Sequence, residues 1–120
     1  MTVNFTLLGK MKSGKNHVQI TRTGQRYPKK EFVAWRTDML NQIDWHKSPI
    51  TGRVSLNVDY VPGDALRRDV PGILDALLHL LEKAGILEDD AQVKNVDWLE
   101  WPMDRQHPKC RVMIRTIGDV

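Results

Sequence analysis

The chain of 120 residues has a single cysteine, Cys110. It therefore has no internal disulfide open to it, and no Cys pair offers a zinc site. Nowhere do apolar residues run for the roughly 18 positions that a membrane-spanning helix needs. The stretch MTVNFTLLGKMKSGK is too short in apolar residues for a secretory signal. No repeat, low-complexity tract or linker interrupts the sequence. These absences exclude a membrane protein, a disulfide scaffold and a zinc finger. The expectation they leave is one cytoplasmic domain spanning residues 1–120, with no membrane partner. What is present suits such a domain: 41% of residues are hydrophobic and 28% charged, and a chain of this length buries roughly two-thirds of its unfolded surface.

Charge is modest in total and uneven along the chain. Residues 1–53 carry ten Lys or Arg against Glu31, Asp38 and Asp44, whereas residues 54–120 carry eight bases against twelve acids; together these give the net +3. Between positions 10 and 30 stand Lys10, Lys12, Lys15, Arg22, Arg26, Lys29 and Lys30 with no acid among them. Such a segment attracts polyanions, of which phosphate backbones are the commonest, or else it is a solvated loop that confers solubility.

Periodicity predicts an α+β fold. Val3 to Leu8 alternates as a strand, and HVQITRT between Gly14 and Gly24 reads as a second, before a turn at Tyr27-Pro28. Phe32, Val33, Trp35, Arg36, Met39, Leu40 and Ile43 fit a helix over about 29–44 with one apolar stripe. Arg53 to Val61 alternates again. A second helix opens at Pro71, buries Ile73, Leu74, Leu77, Leu78, Leu80, Leu81 and Ala84, leaves Gly72, Asp75, His79, Glu82 and Lys83 on its other face, and stops at Gly85. Strands at about 93–101 and 109–116 follow, joined by PMDRQHP. The expected order is β-β-α-β-α-β-β, two helices packed on a mainly antiparallel or mixed sheet.

The stretch RRDVPGILDALLHLLEKAGILEDDAQV, residues 67–93, holds the candidate chemistry. Asp69 precedes the helix, Asp75 is on its polar face, and Asp89 and Asp90 follow it. Gathered together, these carboxylates repel one another unless a cation sits among them, and hard oxygen donors suit Mg²⁺ or Mn²⁺. Plainer roles fit the same residues: Asp69 as a helix cap, Asp75 and His79 as a solvated i,i+4 pair, Asp89 and Asp90 as turn caps.

The stretch also resembles the RusA family of Holliday-junction resolvases of bacteria, phages and prophages. Arg68, Asp69, Lys83, Ala84, Gly85, Asp89, Asp90, Ala91, Gln92 and Val93 match its R-D, K-A-G and D-D-x-Q-V blocks without a gap. More weakly, the resemblance extends over the basic N-terminal region and the last two strands. It implies a homodimeric, Mg²⁺-dependent endonuclease, with Mn²⁺ as substitute, that nicks two strands of a branched DNA symmetrically and works at the nucleoid in recombination and repair. The family's metal cluster includes the positions of Asp69 and Asp90. This chain departs from the pattern at Pro71, where the family has its second aspartate, at Gly72, and at Asp75, where it has lysine.

Two expectations follow. In one, Asp75 replaces the lost aspartate, so that Asp69, Asp75 and Asp90 are catalytic and Asp69, Asp75, Asp89 and Asp90 hold the metal. In the other, the site is inactive and only junction binding remains. DNA contacts are expected from the basic segment and from Arg67 and Arg68, beside the first aspartate. Trp35 is expected in the core, one of Trp98 and Trp101 at most is expected buried, and Cys110 reads as a small core or interface residue.

Overall fold

The computed structural model describes residues 1–14, 18–66 and 69–118, with the side chains of Val18 and Gln19 also outside the description. Lys15, Arg67 and Arg68 therefore lie outside the described residues. No helix among the described residues is long and apolar enough to cross a membrane.

Strands β1 (Thr2–Leu8), β4 (Val54–Val61), β5 (Val93–Glu100) and β6 (Lys109–Thr116) form one sheet in the order β1-β6-β4-β5. β6 is antiparallel to both β1 and β4, whereas β4 and β5 run parallel. The parallel pair needs a crossover, and helix α2 (Val70–Lys83) supplies it. Helix α1 (Lys30–Leu40) packs beside α2. The core lies between the helices and one sheet face: Leu56, Leu77, Leu80, Leu81 and Ile114 are essentially fully buried. The α+β reading thus holds, with a mixed sheet and two helices.

One strand more is present than the sequence order contains. Arg26–Pro28 (β3) pairs with Val18–Ile20 (β2) in a separate ribbon, where a turn was expected at Tyr27-Pro28. Proline has no N–H to give a ladder, but at the end of a two-stranded ribbon none is required. The turn between β2 and β3 is closed by Thr21, whose Oγ1 accepts from Gln25 N at 3.0 Å.

α1 ends four residues before the expected Asp44. Gln42 N and Ile43 N turn back to Met39 O and Leu40 O, so the helix tightens into i→i+3 bonds while Ile43 still reaches the core. Gln42 then clamps the backbone of Leu8, accepting from its N at 2.6 Å and donating to its O at 3.0 Å.

α2 begins at Val70, one residue before the expected Pro71, which still falls in the first turn where its missing donor costs nothing. The helix ends as expected: Gly85 N donates to Glu82 O, Ile86 N donates to Leu81 O, and Gly85 takes φ +77°, the left-handed turn that glycine adopts without strain. Its buried residues are Gly72, Ile73, Ala76, Leu77, Leu80 and Leu81, with Leu74, Leu78 and Ala84 only partly covered. Ala76 adds little to an apolar pattern, and Gly72 is buried because a loop docks on it.

Trp35 is in the core and its Nε1 donates to Lys10 O at 2.9 Å, tying the basic segment to α1. Trp98 is half-buried against Tyr60, with ring centroids 5.7 Å apart, whereas Trp101 is exposed beneath the Arg111 guanidinium. Cys110 is fully buried on β6, and burial, with a smaller contribution from the Asp59 charge, pushes its thiol up to about 12. At pH 8 the native thiol therefore resists iodoacetamide, and labelling appears only at the rate of unfolding. Rapid labelling of native protein at that pH contradicts this placement.

Candidate active site

The N-terminal turn of α2 and the loop after β1 interlock. Asp69 caps the helix, its Oδ1 accepting from Gly72 N at 3.3 Å, and its Oδ2 accepts from Ser13 Oγ at 3.2 Å. Gly14 N donates to Gly72 O at 2.7 Å. A Cβ on Gly72 would overlap Ser13 Oγ and Asp69 Oδ2, and one on Gly14 would stand 2.6 Å from Asp75 Oδ2. The Ser13–Gly14 segment thus meets Asp69 through Ser13 and Asp75 through Gly14.

This interlock decides the sign of a substitution. Alanine at Gly72 gains about 1 kcal/mol of helix propensity. Against that it displaces the Asp69 cap, about 1 kcal/mol, and a hydrogen bond to a charged group, about 1.5–3 kcal/mol. Gly72→Ala is expected to lose about 1.5–3 kcal/mol in urea unfolding; a stabilised variant would mean that the loop is not docked.

Further along α2, Asp75, His79 and Glu82 share one face and line a cleft of about 340 Å³. The opposite wall comes from α1 and the ribbon, with Arg36, Phe32, Arg26 and Tyr27. Asp90 lines the cleft too. Its place is fixed by the chain that follows α2. Asp89 caps a single 3-10 turn over Asp90–Gln92, its Oδ1 accepting from Ala91 N at 2.8 Å. Gln92 Oε1 accepts from Glu88 N and Asp89 N, while its Nε2 donates to Ile50 O and Gly52 O, each at 2.8 Å. Asp90 N donates to Glu82 Oε1 at 2.8 Å. In the D-D-x-Q segment, then, the glutamine is a backbone clamp and the first aspartate a cap, and together they set the second aspartate beside Glu82.

One carboxylate oxygen from each of Glu82, Asp89 and Asp90 lies within 4.8 Å of the others. An octahedral Mg²⁺ with bonds of about 2.1 Å sets its ligand oxygens about 3–4 Å apart, so this all-oxygen set fits a small hard dication after minor adjustment. The electrostatics agree. Asp90 is held above the ordinary carboxylate range, first by a hydrogen bond shared with Asp89, then by desolvation and by the charges of Glu82, Asp89 and Asp75. Asp89 is held below it, first by the Ala91 N–H and then by Asp90.

Arg36 Nη1 lies 3.3 Å from His79 Nε2. Guanidinium has only donors, so Nε2 accepts and the ring is neutral with its proton on Nδ1. Burial, then the Arg36 charge, lowers the His79 pKa accordingly.

The structure brings together Asp75 and Asp90 in the cleft, with Asp89 beside Asp90, but it does not bring Asp69 to them. Asp69 is the cap at the N-terminal end of α2, about 9 Å along the helix axis from Asp75 and about 20 Å from Glu82, and it lines neither the cleft nor the carboxylate group. Among the described residues the carboxylates that come within reach of one ion are Glu82, Asp89 and Asp90, while Asp69 is engaged as a cap with Gly72 and Ser13.

Of the basic residues, Arg26 is exposed and lines the cleft, Lys10 pairs with Asp64 at 3.5 Å, and Lys12, Arg22 and Lys30 are exposed, with Lys29 partly so. Sequence reasoning missed Glu82, His79 and Arg36 as site residues. The 75–79–82 spacing marks one helical face and signalled the first two; Arg36 was hidden among the apolar positions of α1. A comparison with protein-family models and with curated proteins finds no match to the chain.

Proposed function

We propose that the chain is a structure-selective endodeoxyribonuclease of the RusA kind, hydrolysing phosphodiesters of four-way DNA junctions with Mg²⁺ or Mn²⁺ and acting as a homodimer at the nucleoid. The observation that carries this is the two-signed cleft, with carboxylates of α2 and Asp90 on one wall and Arg26 and Arg36 on the other. A cation held by carboxylates beside guanidiniums suits a phosphate that must be both bound and polarised. Glu82, Asp89 and Asp90 would hold the metal, which supplies Lewis-acid stabilisation of charge on the phosphate and a more acidic water. In the overall reaction a water oxygen bonds to phosphorus and the bond to one sugar oxygen breaks. One water proton ends on that sugar oxygen, and the hydroxyl remains on the phosphate. Two-fold symmetry of a dimer supplies two equivalent sites for paired nicks.

A second reading, a catalytically inactive junction binder, is favoured by one observation: Asp69, matched to a metal position of the resembled family, serves as a helix cap. A synthetic four-way junction with Mg²⁺ and then with EDTA separates the two. Paired nicks in Mg²⁺ alone support the nuclease; binding without nicks in both supports the binder. Exchanging Lys10, Lys12, Lys29 and Lys30 for Gln should weaken binding to every DNA form. The slope of log K against log salt should flatten by about 0.9 for each phosphate that is no longer neutralised. An unchanged slope places the DNA face elsewhere.

A further inference from the structure

Arg36 is a cation tied to an uncharged ring in a cleft that also holds three carboxylates, Asp75, Glu82 and Asp90. Among the described residues no carboxylate pairs with it. His79 Nε2 takes one hydrogen bond, and guanidinium has five N–H donors, so most of the donor capacity remains for an anion. Three carboxylates and two guanidiniums line the cleft; with Asp89, the third carboxylate of the metal group, one bound dication brings the sum to neutral, so the guanidiniums remain as paired N–H donors of the kind that meet a phosphate. Arg26 is a poorer anchor, because it stands exposed on a three-residue strand. Arg36 is partly buried and rises from a helix of eleven residues, so less side-chain freedom is lost when it binds.

We infer that Arg36 contacts the scissile phosphodiester and that His79 is its positioning residue, accepting from the guanidinium so that its other donors meet one phosphate of the DNA strand. This rests on the nuclease reading above and adds to it a group that the carboxylates do not supply.

The test is junction cleavage under single-turnover and steady-state conditions, with thermal midpoints checking that each variant folds. Arg36→Ala should lower kcat about 100-fold. Its KM should move less than about threefold, because junction affinity is spread over many phosphate contacts. Added methylguanidine should restore part of the rate. Arg36→Lys should recover part of it too, since it keeps the charge and loses the fork. His79→Gln, whose amide oxygen still accepts from Arg36, should stay near native, whereas His79→Leu should fall about tenfold.

If Arg36→Ala keeps kcat within about twofold of native while Asp90→Asn is inactive, the inference is overturned and the nuclease reading stands. If the native protein cleaves no junction, the nuclease reading falls, and binding of the dinucleotide dTpdT in the presence of Mn²⁺ decides the inference. Binding that Arg36→Ala weakens about tenfold supports a phosphodiester site at Arg36; equal binding, or none to the native protein, overturns it.

Discussion

Asp90→Asn is expected to leave the fold and junction binding intact and to lower Mg²⁺-dependent cleavage about a thousandfold. A metal ion contributes several kcal/mol of charge stabilisation to phosphoryl chemistry, and each 1.4 kcal/mol is about tenfold in rate. The fold is insulated from the change: the Asp90 side chain is exposed, and its structural bond, to Glu82, is made by the backbone N–H. Asp69→Asn is the control. Asparagine caps a helix about as well as aspartate but gives up the charge in the bond from Ser13, a loss of about 1 kcal/mol; Asp69 does not line the cleft, so cleavage should stay close to native. Gel assays of junction cleavage across a Mg²⁺ titration measure both variants. Should Asp69→Asn be inactive and Asp90→Asn active, the metal lies at the start of α2 and the cleft assignment is wrong.

The largest loss of stability is expected at Leu77→Ala, about 3–4 kcal/mol. Leu77 is 0% exposed in the centre of the core, and removing a leucine side chain from such a place forfeits its transfer free energy and leaves a cavity that neighbours fill only in part. For a domain of this size, that shifts the thermal midpoint by roughly 10–15 °C. Leu78→Ala, one residue on and only partly buried, should cost less than half as much. Equal costs would show that α2 is rotated about its axis, with Leu78 as deep in the core as Leu77. Because the residues of α2 that line the cleft alternate with its core residues, Leu77→Ala should also reduce cleavage at temperatures near its own midpoint while leaving the low-temperature rate near native.

Much of the fold was legible. The strands at Val54–Val61 and Lys109–Thr116 and the glycine stop of α2 follow from alternation, from helical spacing and from the freedom of Gly85 at positive φ, all of which are local. Local rules were weaker at Arg26–Pro28, where a proline masked a strand that has one partner and no need of a further donor. They also overran at the end of α1, where the apolar pattern continues to Ile43 although the hydrogen bonding changes.

The candidate site divides along the same line. Sequence alone determined which carboxylates are at hand, and the 75–79–82 spacing put Asp75, His79 and Glu82 on one face of α2. Which acids meet was decided by tertiary structure. The Ser13–Gly14 loop sits on the first turn, holding Asp69 as a cap. Gln92, bonded to Ile50 and Gly52 some forty positions away in the chain, fixes Asp90 beside Glu82. Arg36 joins them only because α1 packs against α2. A helix fixes neighbours within its own turns through its backbone bonds, but residues on separate elements meet through docking contacts that no spacing in the chain encodes.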